Sequence, residues 1–226
     1  MLNKADYSSD LAMPLRNKDR VTDPGLLLVV SGPSGSGKST LCRAAMTRLN
    51  DLEFSVSFTT RPPRKGEQEG RDYFFVDDAR FDQMVEEGAF VEWAQVHNNK
   101  YGTSLAFIES RTKAGASIVL DIDSQGARQI KDTFPNAIFI FCVAPSRKCL
   151  ENRLRGRNTD TSKVIRQRLE NAIGEIRQAV WYDYIVVNDV FETALLQFVS
   201  IIAAEGCRRE RAPVKTKELL LEYGID

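Results

Sequence analysis

The sequence predicts an α/β fold, a parallel sheet covered by helices, with a small α+β unit inserted into it. Three observations carry that prediction. Four apolar runs, Leu26 to Val30, Ser117 to Asp121, Ala137 to Val143 and Tyr184 to Val187, lack the alternation of half-exposed strands. Such runs are the mark of strands buried on both faces, as in a parallel sheet. Helix-like segments lie between them and supply the crossovers that parallel strands require. Residues 52–104 break the pattern, because short aromatic and β-branched segments there are cut by Pro62, Pro63, Gly66, Gly70 and Gly88.

The elements follow in order. Residues 1–24 mix Lys4, Asp6, Asp10, Arg16, Lys18, Asp19 and Arg20 without the apolar stretch of a signal peptide, so they read as a flexible polar extension. The first apolar run leads through a glycine-rich turn into a helix-like stretch, Thr40 to Leu49. Phe54 to Phe58 and Asp72 to Val76 suggest small strands of the insertion, and Ala79 to Glu87 its short helix. Leu105 to Ala114 reads as the helix that returns to the core. From Thr161 onward Val164, Ile165, Leu169, Ile173, Ile176 and Val180 recur at helical spacing, and Thr193 to Arg209 reads as a further helix. After Cys207 come Arg208, Arg209, Arg211, Lys215 and Lys217, then three leucines, a tail expected to be a solvated helix end.

Composition narrows the function. The chain has 226 residues with 31 basic and 31 acidic side chains, so its net charge gives no general drive toward nucleic acid or an anionic membrane. Any attraction for phosphate must come from local clusters. Its four cysteines, Cys42, Cys142, Cys149 and Cys207, have no zinc spacing, so reduced thiols in a cytoplasmic setting are expected. No stretch approaches the length of a membrane-spanning helix. Oligomeric state stays open, a homo-oligomer included.

The strongest motif follows the first strand: Gly32-Pro33-Ser34-Gly35-Ser36-Gly37-Lys38-Ser39-Thr40. Strand, glycine-rich loop, Lys-Ser and helix stand in the order that a phosphate loop requires. Glycines free the backbone so that successive N–H groups and the helix N-terminus can cradle a polyphosphate. Lys38 would reach the β- and γ-phosphates, and the Ser39 hydroxyl would ligate Mg²⁺. This pattern implies a nucleoside triphosphate. Asp121, closing an apolar strand, stands where a carboxylate would hold Mg²⁺ or its water.

A second anion site is suggested by Arg61-Pro62-Pro63-Arg64. Polyproline geometry repeats every three residues, so the two guanidinium groups would project from one side, suited to a phosphate monoester. Tyr73 would add a hydroxyl. A solvated basic loop accounts for these residues equally well. Glu92, followed by Tyr101-Gly102-Thr103, adds a carboxylate of the kind that reads guanine, whose edge offers adjacent N1–H and N2–H₂ donors. Ser57 and Thr103 would supply donors to O6.

With these residues the chain closely resembles the guanylate kinases from about Leu26 to about Arg209. The resemblance rests on S-G-P-S-G-S-G-K-S-T at 31–40, T-T-R-x-P-R-x-G-E at 59–67 and G-x-D-Y-x-F at 70–75. E-W-A, Y-G-T, L-D-I-D-x-Q-G at 120–126, R-L-R-G-R at 153–157 and I-V-V-N-D at 185–189 complete it. It implies a three-layer phosphate-loop NTPase core (25–55, 107–149 and 171–209), an inserted GMP-binding domain (56–106), a helical lid (150–170) and a tail (210–226). It further implies Mg²⁺-dependent transfer from ATP to GMP, with dGMP a weaker acceptor.

By resemblance Arg61, Arg64, Tyr73 and Tyr101 would hold the GMP phosphate, while Ser57, Glu92 and Thr103 would read the base. Gly102 belongs to the same segment, and Glu67 would orient the arginines. Arg153, Arg157 and Arg168 match lid arginines that would close over the triphosphate. Asp123 is implied in the nucleotide site, with base contact and lysine positioning both open. Asn188 is placed near the adenine, with helix capping an equally good account. Phe58 and the segment His97-Asn98-Asn99-Lys100 depart from the family pattern, putting local details of the monophosphate loop in question. The main competing reading is a related binding module without catalysis, which the complete phosphate loop opposes. A kinase acting on another small phosphorylated acceptor is opposed by Glu92, Ser57 and Thr103.

Overall fold

The structure is a computed structural model that describes residues 24–64, 66–96, 98–156, 161–211 and 214–225. The extension 1–23, Lys65, His97 and Arg157 lie outside the described residues.

The chain first builds β1 (Leu27–Ser31), α1 (Lys38–Arg48) and β2 (Leu52–Phe54). The insertion then supplies β3 (Phe58–Thr59), β4 (Phe74–Phe75), α2 (Asp78–Glu86), β5 (Phe90–Val96) and β6 (Asn99–Ser104). The core resumes with α3 (Leu105–Lys113), β7 (Ser117–Asp121), α4 (Ser124–Thr133), β8 (Ile138–Val143), α5 (Arg147–Arg155) and α6 (Ser162–Arg177). It closes with β9 (Tyr184–Val187), α7 (Phe191–Gly206) and α8 (Val214–Glu222).

Five parallel strands form the main sheet in the order β2-β7-β1-β8-β9. The four apolar runs are β1, β7, β8 and β9, and the first three are buried on both faces as their composition demands. Leu28, Val30, Val119, Ile140 and Cys142 face α1 and α7 on one side. Val29, Ile118, Leu120, Phe139 and Phe141 face α3 and α4 on the other. Each such fully buried side chain contributes roughly 1.5–3 kcal/mol relative to exposure. A third cluster, with Leu150, Leu154, Ile165 and Leu169, packs α5 against α6.

The run from Phe54 to Phe58 is not one insertion strand. Leu52–Phe54 pairs with β7 in the main sheet, and Phe58 begins the second sheet, so the chain crosses between sheets within that run. A short apolar segment carries no mark of which sheet it joins. The second sheet has the order β4-β3-β6-β5 and combines parallel and antiparallel pairs. Phe58, which departs from the family pattern, stacks on Phe74 at 4.8 Å and lies 5.8 Å from Phe90. It therefore belongs to an aromatic core that the insertion builds for itself, together with Phe81.

The tail also differs from a freely solvated helix end. Glu205, buried on α7, bonds the Tyr184 hydroxyl, Arg211 and Arg208, with the Arg208 Nε at 3.0 Å. Two of the tail's cations are thus drawn in to neutralise one buried acid, while Leu219 and Leu221 on α8 remain exposed.

Candidate active site

The phosphate loop connects β1 to α1, and its shape is held from behind. The Ser36 carbonyl accepts from Asn188 Nδ2 at 2.9 Å, from Arg153 Nη1 at 3.2 Å and from the Cys142 thiol at 3.7 Å. Because the peptide is planar and trans, pulling that carbonyl backward turns the Gly37 N–H the opposite way, toward the pocket. Gly37 has φ +89°, and a Cβ there would stand 2.3 Å from Asn188 Nδ2. A side chain would therefore break both the backbone conformation and the clamp. The Ser36 hydroxyl is buried with no hydrogen-bond partner among the described residues.

Asn188 and Arg153 thus both support the loop from behind. Helix capping by Asn188 does not occur: α7 is preceded by Val190, with no side-chain cap, and the Asn188 amide is committed to the loop. Arg153 donates to Ser36 O and, at 2.8 Å, to Asn188 O, so it braces the loop.

Asp121, at the end of β7, gathers the loop's two functional side chains. Its Oδ1 lies 3.2 Å from Lys38 Nζ, and its Oδ2 accepts from the Ser39 hydroxyl. Burial works to lower the Lys38 pKa, but the Asp121 charge and hydrogen bond outweigh it and hold the ammonium charged. Together with residues 32–40, Asp121 and Asp123 line a hollow of about 310 Å³. One carboxylate and one hydroxyl beside a polyphosphate cradle suit Mg²⁺, a hard cation that takes few protein ligands and completes its shell with phosphate oxygens and water. Among the described residues no cluster of three or more His, Cys, Asp or Glu could hold a metal by itself.

Asp123 caps α4, its Oδ1 accepting from Gln125 N at 2.9 Å and Gly126 N at 2.8 Å. The lysine contact belongs to Asp121, which removes lysine positioning from the two roles left open for Asp123.

The insertion assembles the second group. Glu67 chelates Arg61, with Nη2 at 2.8 and 2.9 Å from its two oxygens, and accepts from Arg64 N at 2.7 Å. The Arg61 guanidinium lies 5.3 Å over the Tyr73 ring, and Tyr73 meets Tyr101 edge-on at 5.9 Å. Arg61, Glu67, Tyr73 and Tyr101 therefore form one patch. Arg64 has an exposed side chain. Ser57 is half-buried and contributes its carbonyl to Phe74 N.

Glu92 and Thr103 face each other across the β5–β6 register, the Thr103 hydroxyl donating to Glu92 Oε1 at 2.5 Å. Glu92 is 5% exposed. Burial pushes its carboxyl up to about 7; the Thr103 bond opposes the rise and the Asp123 charge adds to it. A buried carboxyl raised in this way, with no cationic partner among the described residues, is a candidate for contact with a ligand. Gly102, opposite Trp93, leaves room for the Phe90 ring, which a Cβ would approach to 2.9 Å.

The two groups are linked electrostatically: the charge of Asp123, the cap of α4, adds to the rise of the Glu92 carboxyl, and that of Asp121, at the end of β7, adds to the rise of the Tyr73 hydroxyl, which burial dominates in both cases. Arg168 is half-buried on α6. Two residues of this region were not identified from the sequence. Glu175 on α6 lines the phosphate hollow, its carboxyl raised by burial against the opposing Lys38 charge. Gly126 on α4 lies where a Cβ would come within 2.4 Å of Glu92 Oε2. An acid in an amphipathic helix reads as solvated face, so Glu175 carried no signal; a glycine in a helix, costing about 1 kcal/mol, was the available sign for Gly126.

Comparison with known proteins bears on the family. The guanylate kinase family model matches residues 25–205. The chain is 54% identical over 187 residues to a guanylate kinase of Syntrophotalea carbinolica, covering 83% of this chain and 89% of that protein. It is 48% identical over 187 residues to one of Geobacter sulfurreducens, covering 83% and 92%. Its fold is similar to the crystal structure of guanylate kinase from Anaplasma phagocytophilum, with a TM-score of 0.73 at 32% identity over 92% of this chain and all of that one.

Proposed function

The chain belongs to the guanylate kinase family, a family of kinases that phosphorylate GMP with ATP, and from that premise we propose how its residues divide the work. ATP lies along the phosphate loop, its β- and γ-phosphates on Lys38 and the amides of residues 32–40. GMP lies in the insertion with its phosphate on Arg61, Arg64, Tyr73 and Tyr101 and its base against Ser57, Glu92 and Thr103; dGMP is a weaker acceptor. Mg²⁺ would be held by Ser39 and Asp121, and when bound it neutralises charge on the triphosphate.

The observation that carries the reading is Glu92: a carboxylate buried in the insertion and bonded to Thr103, with its nearest charged influence among the described residues another acid, Asp123, and not a cation. Guanine offers two adjacent donors to such a group, whereas adenine would leave it unpaired at a cost of several kcal/mol.

The acceptor is a phosphate oxygen that is largely ionised near neutral pH, so the reaction needs no strong general base. Positioning and charge stabilisation are the work. Arg61 arrives already oriented, because Glu67 fixes its guanidinium before any ligand does. Arg157 and Arg168 would add positive charge as the lid closes, and closure would keep water from taking the phosphoryl group. The four cysteines form no disulfide, which fits a reducing compartment, and the cytoplasm is the proposed location.

Steady-state assays with ATP, Mg²⁺ and each of GMP, AMP, CMP and UMP test the assignment. GMP should be turned over with a kcat/KM at least about 10³ above the others. Comparable rates with AMP would overturn the role given to Glu92.

A further inference from the structure

We propose that Gln129 is a positioning residue for base recognition, a proposal that rests on the reading of Glu92 as the guanine-binding carboxylate. β5 is the edge strand of its sheet, paired on one side by β6. An edge strand presents unpaired N–H and C=O groups, a site where a strand frays or shifts unless something covers it. At Trp93, the residue next to Glu92, the open edge is covered by one side chain from α4. Gln129 Oε1 accepts from Trp93 N at 3.2 Å, and Gln129 Nε2 donates to Trp93 O at 3.0 Å. The amide thus makes the pair of bonds that a neighbouring strand would make.

Three further observations tie this clamp to Glu92. One turn earlier on the same face of α4 stands Gly126, the residue whose missing Cβ leaves space for Glu92 Oε2. The β5–β6 register shifts between Phe90 and Glu92, so the ladder to β6 is interrupted just before the carboxylate. Trp93 is 40% exposed and meets Phe81 edge-on at 6.5 Å, so its side chain is only partly enclosed. The Gln129 amide adds a constraint on the edge that β6 does not cover. It also runs from the base-reading strand into a helix that begins directly after the strand carrying Asp121, with Asp123 as its cap. Glu92 is thereby referenced to the donor site and not only to its own sheet.

The test is kinetic. Gln129→Met keeps the length and removes both bonds; Gln129→Glu keeps an acceptor for Trp93 N–H and sets a carboxylate against Trp93 O. Both should raise KM for GMP about tenfold or more, Gln129→Glu more than Gln129→Met. The KM for ATP, and kcat at saturating GMP, should stay within about twofold of wild type. Thermal stabilisation by an ATP analogue alone should be unchanged. Glu92→Gln is measured alongside: if it leaves KM for GMP unaltered, the base-reading assignment fails. If Glu92→Gln raises KM for GMP and both Gln129 variants stay within twofold of wild type, the Gln129 proposal alone fails. Parallel rises in KM for ATP and GMP, or loss of the cooperative thermal transition in both Gln129 variants, would show a merely structural role and also overturn it.

Discussion

The phosphate loop and the proposed base-reading pocket are built in opposite ways. The loop is contiguous, residues 32–40, and works through main-chain amides that one pinned carbonyl turns inward. The base pocket is assembled from residues 57 to 103, and works through side chains that other side chains hold: Glu67 for Arg61, Thr103 for Glu92. A polyphosphate needs many weak donors in a fixed curve, which backbone supplies without depending on distant pairing. A base needs one charge at one place, which only tertiary structure can supply. The difference teaches where each site is vulnerable. Damage to the loop should abolish phosphoryl transfer for every acceptor, and damage to the pocket should alter which acceptor is used.

Four perturbations sharpen that contrast. The largest effect is expected from Lys38→Ala, which removes the ammonium paired with Asp121. Turnover should fall by at least about 10³ with every acceptor, as read by coupled assay; retention of near-wild-type activity would remove Lys38 from its role. Arg61→Ala comes next. It deletes the oriented guanidinium and leaves Glu67 with only the Arg64 N–H, so kcat/KM for GMP should drop by roughly 10²–10³, while binding of an ATP analogue measured by calorimetry stays unchanged. Asn188→Ala releases one of the donors on the Ser36 carbonyl. Loss of one such bond, about 1.4 kcal/mol for a tenfold change, predicts a roughly tenfold rise in KM for ATP with KM for GMP unaffected; an equal rise in both would break the distinction between the two regions.

The fourth effect is on stability and leaves turnover aside. Glu92 has a folded pKa of about 7 against an ordinary value of 4.5, so the folded chain holds this proton more tightly than the unfolded one. The stabilisation is fully present below pH 4.5 and is lost as pH rises through 7, to a total on the order of 3 kcal/mol. Glu92→Gln, which cannot ionise, should therefore gain Tm relative to wild type between pH 5 and pH 8 in the absence of nucleotide. A difference in Tm that does not change with pH would mean the carboxylate is already ionised at pH 5.

The same contrast explains what could be read from the chain. The loop was legible in full because Gly32 to Thr40 are neighbours and the motif carries its own context, an apolar strand before it and a helix after it. The parallel sheet was legible because burial on both faces leaves β1, β7 and β8 uniformly apolar. In the insertion the expected strand at 72–76 and helix at 79–87 match β4 and α2, but the strand bounds are not legible: β3 and β4 are two residues each, too short for periodicity. The join between Phe54 and Phe58 was misassigned for that reason. The bracing of the loop by Asn188 and Arg153, the clamp of Gln129 on Trp93 and the facing of Glu175 toward Lys38 were not legible. Each depends on residues far apart in sequence whose types suggest nothing locally, and Asn188 lies 152 positions from the carbonyl it holds.

The claim that both regions serve one cleft is tested most directly by a crystal structure with a non-hydrolysable ATP analogue and GMP together. The account predicts guanine N1 and N2 bonded to the Glu92 carboxylate, the GMP phosphate on Arg61, Tyr73 and Tyr101, and that phosphate directed at the γ-phosphate on Lys38. GMP bound elsewhere, with Glu92 still bonded only to Thr103, would contradict it.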